Sequence, residues 1–235
     1  MMLETYAGHA NPMMHRPVVK AEVLDFMRTR QSQLSGNLAE IQRFADENNI
    51  PVIPQETVVY FQFMLSSLQP RKILEIGTAI GFSTLLFAEI CPEAEITTLE
   101  RYEEMLVFAR DNFGKFDQRQ QIKLIEGDAA EILPELEDQH YDFIFMDSAK
   151  TQYVKFLPYL LKNLGENAIL AIDDVFQAGD ITRPLSELPR RQRNITRGLN
   201  ALFDAVYADE NLQSTLLPLG DGVLLIKCKK PVSML

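Results

Sequence analysis

The stretch Lys72-Ile73-Leu74-Glu75-Ile76-Gly77-Thr78-Ala79-Ile80-Gly81-Phe82-Ser83-Thr84-Leu85 reads as a strand, a glycine turn and the opening of a helix. Ile73, Leu74 and Ile76 form the apolar run of a strand covered on both faces. Gly77 lets the backbone turn sharply and approach a ligand closely. Gly81 starts a helix running to about Ile90, whose free N–H groups face the same crevice.

The spacing narrows the ligand. A dinucleotide fingerprint is G-x-G-x-x-G, whereas Gly77 and Gly81 are separated by three residues and position 79 is alanine. Alanine leaves less room for a pyrophosphate against the backbone, and Glu75, two residues before the turn, repels phosphate. That carboxylate suits a cation such as the amino or sulfonium group of S-adenosylmethionine. The pattern E-x-G-x-x-x-G resembles motif I of class I methyltransferases. A nucleotide-binding variant and a glycine turn with no ligand are the alternatives.

A chain of 235 residues is long enough for one domain with a sizeable core. Its net charge of −10 argues against generic nucleic-acid coating and against anionic membranes. Cys91 and Cys228 fit no metal spacing, so a disulfide is not expected and a reducing cytoplasm is the natural setting. No apolar run approaches the roughly 18 residues of a membrane span, and residues 1–17 lack a signal-peptide core.

Residues 1–17, with His9 and His15, read as irregular and surface-exposed. Helices are expected over 18–31, with Val19, Val23, Phe26 and Met27 on one face, and over 35–49, with Leu38, Ile41 and Phe44 on one face. A third spans Gln55 to Leu68, where Tyr60, Phe61 and Phe63 read as core packing. These helices could cover the crevice or form a dimer interface. From Lys72 strands and helices alternate, the mark of a parallel sheet with crossovers. Further strands are expected at Glu95–Leu99, Ile122–Ile125, Phe143–Met146 and Ala168–Ile172, with helices near 103–112, near Glu131 and over Pro189–Tyr207. Ser214–Leu219, the turn Gly220-Asp221-Gly222 and Val223–Lys227 read as a closing hairpin.

In such sheets ligands bind beyond the carboxyl ends of the strands, and several strands here end in an acid. Glu100 can accept from both ribose hydroxyls, or can sit as a helix N-terminal carboxylate. Asp128, before Ala129, can accept from an adenine amino group, or can cap the next helix. Asp147, Asp173 and Asp174 would repel one another unless a cation lay among them, and an all-oxygen set favours Mg²⁺ or Ca²⁺. Asp147 as a helix cap and the other two in turn hydrogen bonds is the plain alternative. Lys150, beside a divalent ion and a sulfonium, would have a lowered pKa and could take a proton from a substrate hydroxyl.

Taken together, Glu75–Ser83, Asp142–Tyr153, Ile172–Asp174 and Leu217–Gly222 resemble the cation-dependent O-methyltransferases, the group of catechol and caffeoyl-CoA O-methyltransferases. The resemblance implies an α/β class I methyltransferase fold: a seven-stranded, mostly parallel sheet with one antiparallel strand. It implies a helical extension over 1–70 packed on a core over 71–235, and a homodimer. It implies S-adenosylmethionine contacts at Ile53, Glu75, Gly77, Ser83, Glu100, Gly127, Asp128, Ala129 and Asp147. Asp147, Asp173 and Asp174 would bind Mg²⁺, with Asp174 standing where the family usually has Asn, and Lys150 would be the general base beside Asp147. Glu4-Thr5-Tyr6, Arg16-Pro17-Val18-Val19 and Leu188–Arg193 are similar to bacterial tRNA 5-hydroxyuridine methyltransferases. That implies the tRNA anticodon arm as partner, met by Arg183, Arg190, Arg191, Arg193 and Arg197. A solvated helix face is the alternative for these arginines.

Overall fold

A computed structural model describes residues 19–136 and 139–229 of the chain. The expectations for residues 1–17 and for Val18 lie outside it. Seven strands form one sheet: β1 Lys72–Ile76, β2 Glu95–Glu100, β3 Ile122–Glu126, β4 Tyr141–Met146, β5 Leu164–Ile172, β6 Leu212–Leu217 and β7 Val223–Cys228. Their order is β3-β2-β1-β4-β5-β7-β6. Strands β1 to β5 pair in parallel and β7 runs antiparallel to both β5 and β6. This is the expected sheet. Chain order reverses at β1, so the crevice between β1 and β4 is the switch point where ligands bind in open α/β sheets.

The helices are α1 Ala21–Arg30, α2 Gly36–Glu47, α3 Gln55–Leu68, α4 Phe82–Ile90, α5 Glu103–Phe116, α6 Ala129–Ile132, α7 Tyr153–Lys162 and α8 Arg190–Ala208. Two apolar layers sandwich the sheet. Leu38 and Ile41 of α2, Phe61 and Leu65 of α3 and Phe87 of α4 pack with Ile73, Phe143 and Phe145 on one face. Tyr153, Phe156 and Leu160 of α7 and Leu199 and Leu202 of α8 pack with Leu74, Ile76, Ile144 and Met146 on the other. The alternation along β1 and β4 follows from the two-residue period of a strand. Phe61, Phe87, Phe143 and Phe145 meet edge-on with centroids 5.3 to 5.8 Å apart, each such pair adding about 0.5–1.5 kcal/mol beyond its buried area. The α2–α3 extension therefore shares the core of the sheet.

Three readings change. The stripe of Val23 and Phe26 faces outward, at 46% and 62% exposure, while Leu24 is buried. Arg28 decides this: its two-pronged ion pair with the buried Glu56, at 2.8 and 3.0 Å, fixes which side of α1 meets α3. Within the aromatic stripe of α3, Phe61 is core but Phe63 is 76% exposed. Helix α7 is an addition to the expected elements, because Pro158 lies inside it and a proline normally argues against a helix interior. Cys91 and Cys228 are both free, and no described helix is long and apolar enough to cross a membrane.

Candidate active site

Four strand ends, those of β2, β1, β4 and β5, meet at the switch point. The Gly77 N–H donates to the Leu99 carbonyl at 3.0 Å, the Asp147 N–H to Ile76 at 2.9 Å and the Asp173 N–H to Met146 at 2.9 Å. These bonds extend the ladder past the strands and set Gly77, Glu100, Asp147 and Asp173 side by side. Gly77 is required by this junction. Its φ is 100°, and a Cβ there would stand 1.9 Å from the Asp147 carbonyl oxygen. Gly77→Ala should therefore destabilise the protein by at least about 2 kcal/mol, combining left-handed strain with a backbone clash. Thermal unfolding checks this, and an unchanged midpoint would contradict the close approach.

A cavity of about 560 Å³ opens at these tips, within the range of small-molecule sites. Of the residues expected to contact a cofactor, Ile53, Gly77, Ser83, Glu100, Gly127, Asp128, Ala129 and Asp147 all line it. Glu75 does not. It is fully buried behind Ser83 and accepts hydrogen bonds from Ser83 (2.5 Å), Thr98 (2.6 Å) and Thr84. Strand alternation places it on the α4 side, so the group presented to the cavity is Ser83. Burial, opposed by the three hydroxyls and aided by Asp147, pushes the Glu75 carboxyl up to about 7.

Glu100 is 7% exposed, and its two oxygens accept the N–H groups of Ala79 (2.9 Å), Arg101 (2.8 Å) and Tyr102 (2.9 Å). It locks the glycine turn to the end of β2 and still faces the cavity. Asp128 caps α6 by accepting the Ala130 N–H at 2.9 Å, and pairs with Arg101 at 2.7 Å. Those two contacts, the cap first, hold its carboxyl below the ordinary value. Arg101, Tyr102, Met105, Gln152 and the segment 50–52 also line the cavity. The sequence does not single them out, because they follow or precede the motifs and carry no spacing signal.

The acidic cluster is built differently from the expected metal grip. Lys150 Nζ donates to Asp174 Oδ2 at 2.7 Å, with the side chains 13% and 25% exposed. Asp173 Oδ1 accepts the Asp174 N–H at 2.8 Å. Tyr153, fully buried, donates to the Asp173 carbonyl at 3.3 Å and accepts the Ser148 N–H at 3.2 Å, tying the ends of β4 and β5. No group of three or more acid, His or Cys side chains among the described residues is placed to hold one metal ion. Asp174 faces Lys150 in this arrangement.

The donor chemistry nonetheless suits a hard cation. Three carboxylates against one ammonium leave buried negative charge uncompensated. Burial first, then Asp174, raises Asp147 to about 6 despite Lys150, and burial with Asp174 and Asp147 drives Asp173 well above the carboxylate range. Two effects compete at Lys150. Burial pulls it down, but Asp174 and Asp147 outweigh that and hold the ammonium above its ordinary value.

The arginines do not act as one patch. Arg193 turns back onto the carbonyls of Leu188 (2.7 Å) and Ser186 (3.3 Å). Arg183 pairs with Asp180 at 3.1 Å and Arg197 bonds Asn194 at 2.9 Å. Arg190 and Arg191, in the first turn of α8, are exposed, and Arg191 lines the cavity.

The comparisons with known proteins agree with this geometry. Residues 29–229 match the sequence model of a family described as O-methyltransferase. A Dictyostelium discoideum protein named "Probable caffeoyl-CoA O-methyltransferase 2" is 29% identical over 212 residues, covering 87% of this chain and 90% of its own length. O-methyltransferase hkm8 of Aspergillus hancockii is 34% identical, covering 80% and 84%. The crystal structure of the Podospora anserina methyltransferase PaMTH1 bound to SAH superposes with a TM-score of 0.78 at 28% identity, covering 89% of this chain and 94% of that one. The chain belongs to the O-methyltransferase family.

Proposed function

We propose that this protein transfers a methyl group from S-adenosylmethionine to the 5-hydroxyl of 5-hydroxyuridine at the wobble position of tRNA, giving 5-methoxyuridine, with Mg²⁺ as cofactor. The observation that carries the acceptor is Arg191, which lines the same cavity as Gly77, Glu100 and Asp147, next to the exposed Arg190. On a chain of net charge −10, an exposed arginine lining the cavity with a second exposed arginine beside it in sequence is suited to an anionic backbone. An anticodon loop presents an unstacked base, so little energy goes into extruding it.

S-adenosylmethionine supplies an electrophilic methyl group, and a divalent ion held by Asp147, Asp173 and Asp174 would supply Lewis-acid stabilisation of the acceptor oxygen. Glu100, at the end of β2, is the acceptor for ribose hydroxyls. The segment 50–53 lines one wall of the cavity. Lys150 stays charged while Asp174 faces it. With Asp174 turned to a divalent ion, Lys150 would be the side chain placed to take the proton from the acceptor hydroxyl.

The second reading is methylation of catechol-like small molecules, including CoA thioesters. The name of the Dictyostelium discoideum relative favours it. Both acceptors offer adjacent oxygens. Methyl-labelled S-adenosylmethionine offered with tRNA bearing 5-hydroxyuridine, or with caffeate or its CoA ester, separates them. Label in tRNA supports the proposal, and label only in the small molecules defeats it. Converting Arg190 and Arg191 to Ala should weaken tRNA binding with the donor still bound. The salt slope should become shallower by about 0.7–0.9 for each phosphate that the variant no longer neutralises. Unchanged tRNA affinity would remove these arginines from the interface.

A further inference from the structure

The turn Leu219-Gly220-Asp221-Gly222 precedes β7, and the chemistry above does not use it. It is wedged between two segments that serve the site. On one side a Cβ at Gly220 would stand 3.0 Å from Pro54 Cγ, so the turn abuts the end of the segment 50–53 that lines the cavity. On the other side lies the loop after β5, which has an unusual backbone. Asp174, Gln177, Ala178 and Gly179 have φ of 58°, 49°, 55° and 84°. Three of these carry side chains, for which the left-handed region is unfavourable. Such backbone persists only where the surroundings hold it.

Asp221 is what holds it. The residue is 5% exposed, and both of its carboxylate oxygens accept the Ala178 N–H, at 2.7 and 2.9 Å. Its carbonyl accepts the Phe176 N–H at 2.9 Å, and the Gly222 carbonyl accepts the Val175 N–H at 3.1 Å. The Phe176 ring fills the space over Gly222, where a Cβ would come within 2.2 Å of it. The loop thus clamped begins with Asp173-Asp174, and Asp174 carries the carboxylate that holds Lys150.

We propose that Asp221 is a positioning residue for methyl transfer: by pinning the left-handed Ala178 N–H it fixes the loop that carries Asp173 and Asp174 to the site beside Lys150. This rests on Lys150 acting at the acceptor hydroxyl. Asp221 is not among the residues that line the cavity, so its loss is expected to change kcat and spare donor binding.

The test compares the wild type with Asp221→Ala, Asp221→Asn and the double variant Asp221→Ala/Ala178→Gly. It reads donor affinity by calorimetry, kcat with the acceptor on which the wild type is active, and amide exchange across residues 173–183. In Asp221→Ala, exchange protection should fall at Val175, Phe176 and Ala178 but not in β5. Its kcat should drop about tenfold to a hundredfold with donor affinity retained. Asp221→Asn keeps one acceptor oxygen and should lose less, which preserves the test should the alanine variant fold poorly. Glycine at 178 takes the left-handed conformation without strain, so the double variant should recover most of the activity. A loosened loop with wild-type kcat would overturn the proposal, as would an activity loss that Ala178→Gly does not relieve. Should Lys150→Arg prove fully active, the assignment of Lys150 would fail instead, a result these loop measurements do not depend on.

Discussion

Replacing Lys150 by Met is expected to lower the rate of methyl transfer by about 10²- to 10⁴-fold, the range for loss of a general base, while the donor still binds. Lys150 is nearly buried and faces Asp174 at 2.7 Å, and it is the basic side chain whose charge is set by the acids at the ends of β4 and β5. Methionine also removes the counter-charge of Asp174, which loosens the cluster. Lys150→Arg separates the two effects. Arginine keeps the positive charge and the ion pair, but its guanidinium does not deprotonate. A general base predicts low activity in both variants. Wild-type activity in Lys150→Arg would reduce Lys150 to an electrostatic support. Single-turnover rates with saturating donor make the comparison.

The second large effect is on stability. Glu75 has its carboxyl raised from 4.5 to about 7, chiefly by burial, so the folded protein holds this proton more tightly than the unfolded chain does. The contribution is fully present below pH 4.5 and is lost as pH rises through 7. At about 1.36 kcal/mol per pH unit, the wild type should lose roughly 3 kcal/mol of stability between pH 4.5 and 8 from this group alone. Glutamine at 75 has the same shape and does not titrate. Urea unfolding of wild type and Glu75→Gln across that range should give curves that diverge at low pH and approach each other, or cross, at high pH. Parallel curves would contradict a protonatable Glu75 sealed behind Ser83, Thr84 and Thr98.

Much of the site's address is legible in the chain. Gly77 and Gly81 announce a strand–turn–helix, and acids after β2, β4 and β5 have to gather because parallel strands end on one side of the sheet. The directions of individual side chains are less legible. Ile73 and Glu75 alternate with Leu74 and Ile76, so Glu75 belongs to the α4 face and not to the crevice. That signal is present in the strand, but the glycine motif beside it points to the crevice instead. For Asp174 no local signal exists: its turn toward Lys150 depends on a left-handed backbone clamped by Asp221, 47 residues further on. Arg193 belongs to a basic face by helical spacing, yet the carbonyls of Ser186 and Leu188 lie within its reach and hold it. Helix α7 has apolar residues at Tyr153, Phe156, Leu157 and Leu160, a helical period hidden by Pro158.

The most direct test is a crystal structure of the protein grown with S-adenosylmethionine. Density for the donor should fill the cavity between Ile53 and Glu100, with its methyl group directed toward the Asp147–Lys150 side. Donor density elsewhere, or a methyl group turned away from Lys150, would contradict the assignment of this crevice as the place where the methyl group is transferred.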